Sequence, residues 1–190
     1  MGSISDAVIG LTSPQRANAA IIEAEFRAAG YSGAVVAAAI VNAIAESGLN
    51  PKAAGDGGWS IGLFQMNRKG GAGVGHSVAE LEDPTSNARI LLSVEKKALD
   101  KIEAAVKAGA GIAEAAGLFA VYVERPRDTL GEKARRAATV VKYFPSAAIQ
   151  AIESGVTDLL KTYAFAGVAG LVLVGAFLGV RKWKKSHSGL

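Results

Sequence analysis

Residues 34–67 read AVVAAAIVNAIAESGLNPKAAGDGGWSIGLFQMN, and this stretch decides the fold. From Ala34 to Ala45 it is uncharged and apolar, within a helix predicted from near Ser32 to Gly48. Glu46 arrives in the last turn, and Gly48 marks the stop. Asn50-Pro51 then opens a glycine-rich region over residues 50–82, too aperiodic for a helix. A loop of that length predicts a functional region with a short hairpin.

Outward from this stretch the pattern is helical. Ser13-Pro14 reads as an N-cap with proline in the first turn, starting a helix that runs through AIIEAEFRAA to Gly30. Asp83-Pro84 opens a third helix, with Ile90, Leu91, Val94, Ala98, Ile102, Ala105 and Val106 at helical spacing. It runs unbroken to Gly109. A fourth helix is predicted from about Ile112 to Glu124, and a fifth from about Thr129 to Phe144, closed by Pro145.

Composition narrows the chemistry. The 190 residues include no cysteine, so there is no disulfide framework, thiolate nucleophile or Cys-built zinc site. The two histidines, His76 and His187, are too few for a usual zinc hydrolase. A Ser-His-Asp triad would rest on His76 alone, with no Gly-x-Ser-x-Gly turn. Chemistry by carboxylates remains, without metal or cofactor, or no chemistry at all. Gly71-Ala72-Gly73-Val74-Gly75 lacks the Gly-Lys-Ser/Thr ending of a phosphate loop, and HSVAELEDP after it is no clear apolar helix.

The net charge of +4 is local. Residues 1–180 carry 17 acids and 17 of the 21 Lys and Arg residues, and Arg181, Lys182, Lys184 and Lys185 supply the excess. A nucleic-acid groove would spread its cations along one face, so none is expected. The 19 residues between Lys161 and Arg181 carry no charge. At about 1.5 Å per residue they make roughly 28 Å of helix, close to a bilayer's hydrocarbon thickness. Tyr163 and Trp183 stand at the two borders, and Gly175 and Gly179 at close-packing spacing. The expectation is one C-terminal transmembrane anchor over 162–180, after an amphipathic stem (146–161) and before a basic tail (181–190). No secretory peptide is read at the N-terminus. The positive-inside tendency keeps RKWKK cytoplasmic, whereas simple tail insertion translocates it, so orientation stays open.

Glu46 is the candidate acid. Its apolar neighbours exclude water, and the partial negative charge of the helix C-terminus lies beside it. Both effects favour the protonated form, which a general acid that protonates a glycosidic oxygen needs. An exposed acid at a helix end is the competing reading from position alone.

The flanking residues settle that competition. Glu46-Ser47 ends a helix, Asn50-Pro51 starts the loop, and Gly62-Leu63-Phe64-Gln65 follows. Farther on come Tyr122-Val123-Glu124-Arg125-Pro126 and Arg135-Arg136-Ala137. In that order these resemble the phage tail lysozyme family, within the lysozyme-like superfamily of lytic transglycosylases and goose-type lysozymes. The resemblance covers roughly 12–144 and implies a mainly α, lysozyme-like catalytic domain over 1–145.

The resemblance implies Glu46 as general acid, Ser47 hydrogen-bonding near the reacting centre, and Gln65, held by Gly62, contacting the sugar. Apart from any family, Gly57, Gly58 and Gly62 let backbone approach a ligand. Trp59 and Phe64 offer flat faces for sugar rings, against core packing as the alternative for each. Tyr122 lines the opposite wall, though the transglycosylase Ala-Tyr-Asn pattern is absent there. For a second carboxylate the candidates are Asp56 and then Glu124, which Arg125, Arg127 or Arg136 can simply pair. With neither, the resemblance implies a lytic transglycosylase, in which the substrate's 6-hydroxyl attacks.

The expected partners are the peptidoglycan glycan strand, a lipid bilayer through 162–180, and other virion membrane proteins. The expected location is a virion with an internal membrane, or the host inner membrane. The rival reading is a non-enzymatic, lysozyme-like structural membrane protein of the virion.

Overall fold

The computed structural model describes residues 3–126 and 128–145. The chain there is mainly helical: α1 (Ile4–Ala7), α2 (Ser13–Ala28), α3 (Gly33–Ser47), α4 (Val78–Glu82), α5 (Pro84–Val94), α6 (Lys96–Lys107), α7 (Ile112–Phe119), a π-helical turn (Ala120–Glu124) and α8 (Thr129–Tyr143). Between α3 and α4 lie β1 (Ala54–Gly55), β2 (Ser60–Ile61) and β3 (Met66–Asn67), an antiparallel sheet in that order. Its register pairs Ala54 with Ile61 and Ser60 with Asn67. The expected hairpin is therefore a small three-stranded meander.

α3 is the hub. Val35 through Ala43 are all buried, against α2, α7 and α8. A helix apolar all round is stable only inside, and here the other helices wrap it. Gly48 ends it in the left-handed conformation at φ 62°. Two α2 side chains then secure the chain beyond: Gln15 Nε2 donates to Gly48 O at 3.0 Å and Asn18 Nδ2 to Leu49 O at 2.9 Å. The end that carries Glu46 is thus pinned to a neighbouring helix.

Several boundaries depart from the sequence expectation. The N-cap of α2 is Thr12, one residue before Ser13, because Gln15 Oε1 reaches back to Thr12 N at 2.9 Å. The third helix is two, α5 and α6, broken at Glu95. Its apolar spacing continues across the break, so periodicity cannot register it. HSVAELEDP does contain a helix, α4: Ser77 and Glu80 form a reciprocal capping box, and Leu81 is buried. The fourth helix widens into a π-turn from Ala120, which shifts the phase of Tyr122 and Glu124.

α1 was not foreseen. Glu23 holds it to α2, accepting from Ile4 N at 2.9 Å, Ser5 N at 2.8 Å, Ser3 Oγ at 2.9 Å and Arg27 Nε at 2.8 Å. Among the described residues no helix is long and apolar enough to cross a membrane. The expected stem, anchor and basic tail (146–190) lie outside the described residues, as does Arg127.

Candidate active site

Glu46 projects from the last turn of α3, with its side chain 26 % exposed. Opposite it stands Arg136 of α8, buried to 6 % exposure, whose Nη2 donates to Glu46 Oε1 at 2.5 Å. The same nitrogen donates to Glu124 Oε2 at 2.5 Å, at the end of the π-turn. Nη1 pairs with Glu132 Oε1 at 2.7 Å, and Nε donates to Asn42 Oδ1 at 2.7 Å. One buried guanidinium therefore organises three carboxylates and an amide. Asn42 precedes Glu46 by one turn on the same face. Its own Nδ2 donates to Ala38 O and, across to α7, Ala116 O.

Three carboxylates on one cation cannot all ionise without strong repulsion in a poorly solvated place. Burial first, and then the charge of Glu46, pushes the Glu124 carboxyl up to about 8, with Arg136 opposing. The sequence offers Glu124 as a second carboxylate or as the ion-pair partner of an arginine, and the structure shows the pair with Arg136. The sequence did not reveal that the same arginine pairs with Glu46, nor that Asn42 and Glu132 join them. A signal existed: Asn42 and Glu46, and Glu132 and Arg136, are polar pairs at i,i+4.

Arg125, another of the cations expected near Glu124, turns away. At φ 53° it closes the π-turn and forms a two-pronged pair with buried Glu95, 2.7 Å and 3.2 Å. This pins the π-turn to the α5–α6 break.

The Gly-Leu-Phe-Gln segment braces Glu46 from behind. Ser47 Oγ lies 2.9 Å from Leu63 O and 3.0 Å from Ala43 O, tying the end of α3 to the segment. Gly62 sits at φ 85°, and a Cβ there would overlap Leu81 O and Asn87 Nδ2. Phe64 is 8 % exposed and packs among Phe119 at 6.1 Å and Phe26 at 6.3 Å. Of its two possible roles the structure gives it core packing. Gln65 Nε2 donates to Ala53 O and Gly62 O, both at 3.0 Å, holding the loop closed.

A family model described as phage tail lysozyme matches residues 17–144. The chain belongs to the phage tail lysozyme family. No curated protein and no solved structure gives a match. A lysozyme-type glycosidase role on peptidoglycan goes with membership of the phage tail lysozyme family. The match spans α3, the meander and α8, and so every group around Arg136.

The remaining candidates lie on the surface. Trp59, in the β1–β2 turn, is 40 % exposed, with Lys69 Nζ 4.0 Å above its ring. Tyr122, 37 % exposed on the π-turn, has Lys101 Nζ at 5.7 Å. Asp56 shares the Trp59 turn. Its Oδ2 accepts from Ser60 Oγ at 2.5 Å and Asn67 Nδ2 at 3.4 Å, and it makes no hydrogen bond or ion pair with the Arg136 group.

Proposed function

We propose that the chain is a membrane-anchored, virion-associated glycosidase that cuts the peptidoglycan glycan between N-acetylmuramic acid and N-acetylglucosamine, with Glu46 as general acid. The observation that carries this reading is the position of Glu46. Of the three carboxylates on Arg136 it is the most exposed, at 26 % against 17 % for Glu124 and 13 % for Glu132. It can therefore meet a substrate oxygen while the other two stay behind it.

Transglycosylation is the favoured chemistry. A protein carboxylate acting as base or nucleophile stands roughly 5–9.5 Å from the acid, with the sugar between them. Glu124 shares one nitrogen with Glu46, which leaves no room for a ring between the two. The substrate's own 6-hydroxyl then supplies the nucleophile, and Glu46 accepts its proton. Asp56 on the meander is the alternative, giving hydrolysis. Trp59 offers a sugar platform, Tyr122 a second wall, and Ser47, Gly62 and Gln65 hold the backbone behind Glu46.

The uncharged run 162–180 and its basic flank support an anchor in a virion membrane or the host inner membrane, with local wall cutting during genome delivery as the task. The test is zymography on purified peptidoglycan with the full-length chain and with Glu46→Gln. The wild type clears and the variant does not. Clearing by both removes Glu46 from the chemistry, and clearing by neither favours the structural reading. Mass analysis of fragments separates anhydro ends from reducing ends.

A further inference from the structure

Glu46 and Glu124 meet the same nitrogen, Arg136 Nη2, each at 2.5 Å, so the two carboxyls lie side by side under one cation. The proposed reaction asks Glu46 to deliver a proton, and two adjoining carboxyls can hold one between them.

Glu124 has the required surroundings. Its Oε2 takes the same Nη2, and its Oε1 is buried with no partner among the described residues when both acids are written as carboxylates. A buried charged oxygen without a donor is strongly unfavourable. Protonated, Oε1 becomes a donor itself, and the Glu46 carboxyl lies beside it on the same Arg136 nitrogen. The charged groups facing Glu124 are few. From α3 comes Glu46, and from α8 come Arg136 and, on the same guanidinium, Glu132. Lys133 of α8 lies over Gly117, Glu114 of α7 is exposed, Lys101 of α6 lies over Tyr122, and Arg125 is engaged by Glu95.

We propose that Glu124 is a positioning residue that stores the reaction's proton behind Glu46, the two carboxyls sharing one proton under the charge of Arg136. The role rests on the reading of Glu46 as general acid. In the first half-reaction the one shared proton passes from Glu124 Oε1 to Glu46 and from there to the glycosidic oxygen. The bond from the anomeric carbon to that oxygen breaks, its electron pair staying on the departing oxygen. Both carboxylates are then ionised, facing Arg136. In the second half the attacking hydroxyl bonds to the anomeric carbon and gives its proton to Glu46, which restores the single shared proton. The burial that pushes Glu124 up to about 8 agrees with this resting state.

Two measurements on the full-length chain test it. The first needs no activity: carbon NMR of glutamate side-chain carboxyls across pH 4–9. Glu124 is expected to titrate near 8, and Glu46→Gln to move that titration down by about one pH unit or more, since the opposing carboxylate is gone. A Glu124 carboxyl ionised throughout, or unmoved by Glu46→Gln, overturns the proposal. The second is the pH profile of peptidoglycan clearing. Glu124→Gln keeps shape and donor but no transferable proton, so its basic limb shifts to lower pH. Activity falls about tenfold or more at pH 7.5, yet at pH 5 stays within about threefold of wild type. An equal loss at both pH values, with the fold intact, assigns Glu124 a merely structural role and overturns the storage. If the wild type clears nothing, the enzymatic reading fails and the NMR titration still decides where the proton sits.

Discussion

Asn42 Oδ1 accepts a hydrogen bond from Arg136 Nε at 2.7 Å, one helical turn before Glu46. Asn42 is wholly buried in α3, the one polar residue between Ala34 and Ala45, and its amide also ties Ala38 O and Ala116 O. It orients the guanidinium, so that Nη2 and Nη1 face the three carboxylates.

Replacing Asn42 by Leu leaves a buried guanidinium nitrogen without its acceptor. A hydrogen bond to a charged group contributes about 1.5–3 kcal/mol, so Asn42→Leu should lose stability of that order in a denaturant titration. A loss under about 0.5 kcal/mol would mean that Arg136 holds its place unaided.

Phe64 and Trp59 should respond in opposite ways. Phe64 lies among Phe26 and Phe119, and Phe64→Ala should cost about 3–5 kcal/mol, read from the unfolding midpoint. Trp59 is exposed, so Trp59→Ala should leave stability within about 0.5 kcal/mol. On the proposed role its effect falls on KM for peptidoglycan, not on kcat. A Trp59 variant that binds the glycan as wild type does removes the platform.

At Gly62 both conformation and space forbid a side chain. Gly62→Ala puts a Cβ into Leu81 O and Asn87 Nδ2 at φ 85°. It should destabilise by about 3 kcal/mol or more and displace the segment that Ser47 grips. A Gly62→Ala protein as stable as wild type contradicts the packing described for this turn.

The N-terminal latch gives an acid-side prediction. Burial pushes Glu23 up, but hydrogen bonds from Ile4 N, Ser5 N, Arg27 and Ser3 outweigh it and bring the carboxyl down to about 2 from 4.5. A carboxyl depressed in the folded state adds stability that is full above 4.5 and is lost as pH falls towards 2. Wild-type Tm should therefore fall more steeply between pH 4.5 and 2 than that of Glu23→Gln. Parallel curves would show that the latch contributes nothing in that window.

Legibility differed by residue. The place of Glu46 at a helix end, the stop at Gly48 and the glycine-rich loop were readable because helix periodicity, helix ends and turn chemistry are local. The break at Glu95 was not, because the apolar spacing of α5 runs on in phase into α6. Nor was the inward turn of Phe64: an aromatic beside glycines suits a sugar platform and a core equally well, and only the places of Phe26 and Phe119 choose between them.

By itself the sequence determined a mainly helical chain with one acid at the end of a buried helix, and motifs sufficient for family membership. Helical periodicity, capping and glycine conformation act within a few residues, so they are written along the chain. Tertiary structure decided the electrostatics. Arg136 reaches Glu46 across 90 residues of sequence, and the π-turn brings Glu124 to the same nitrogen. Which carboxyl keeps a proton depends on burial and on the distances to other charges, and those exist only once α3, the π-turn and α8 have packed.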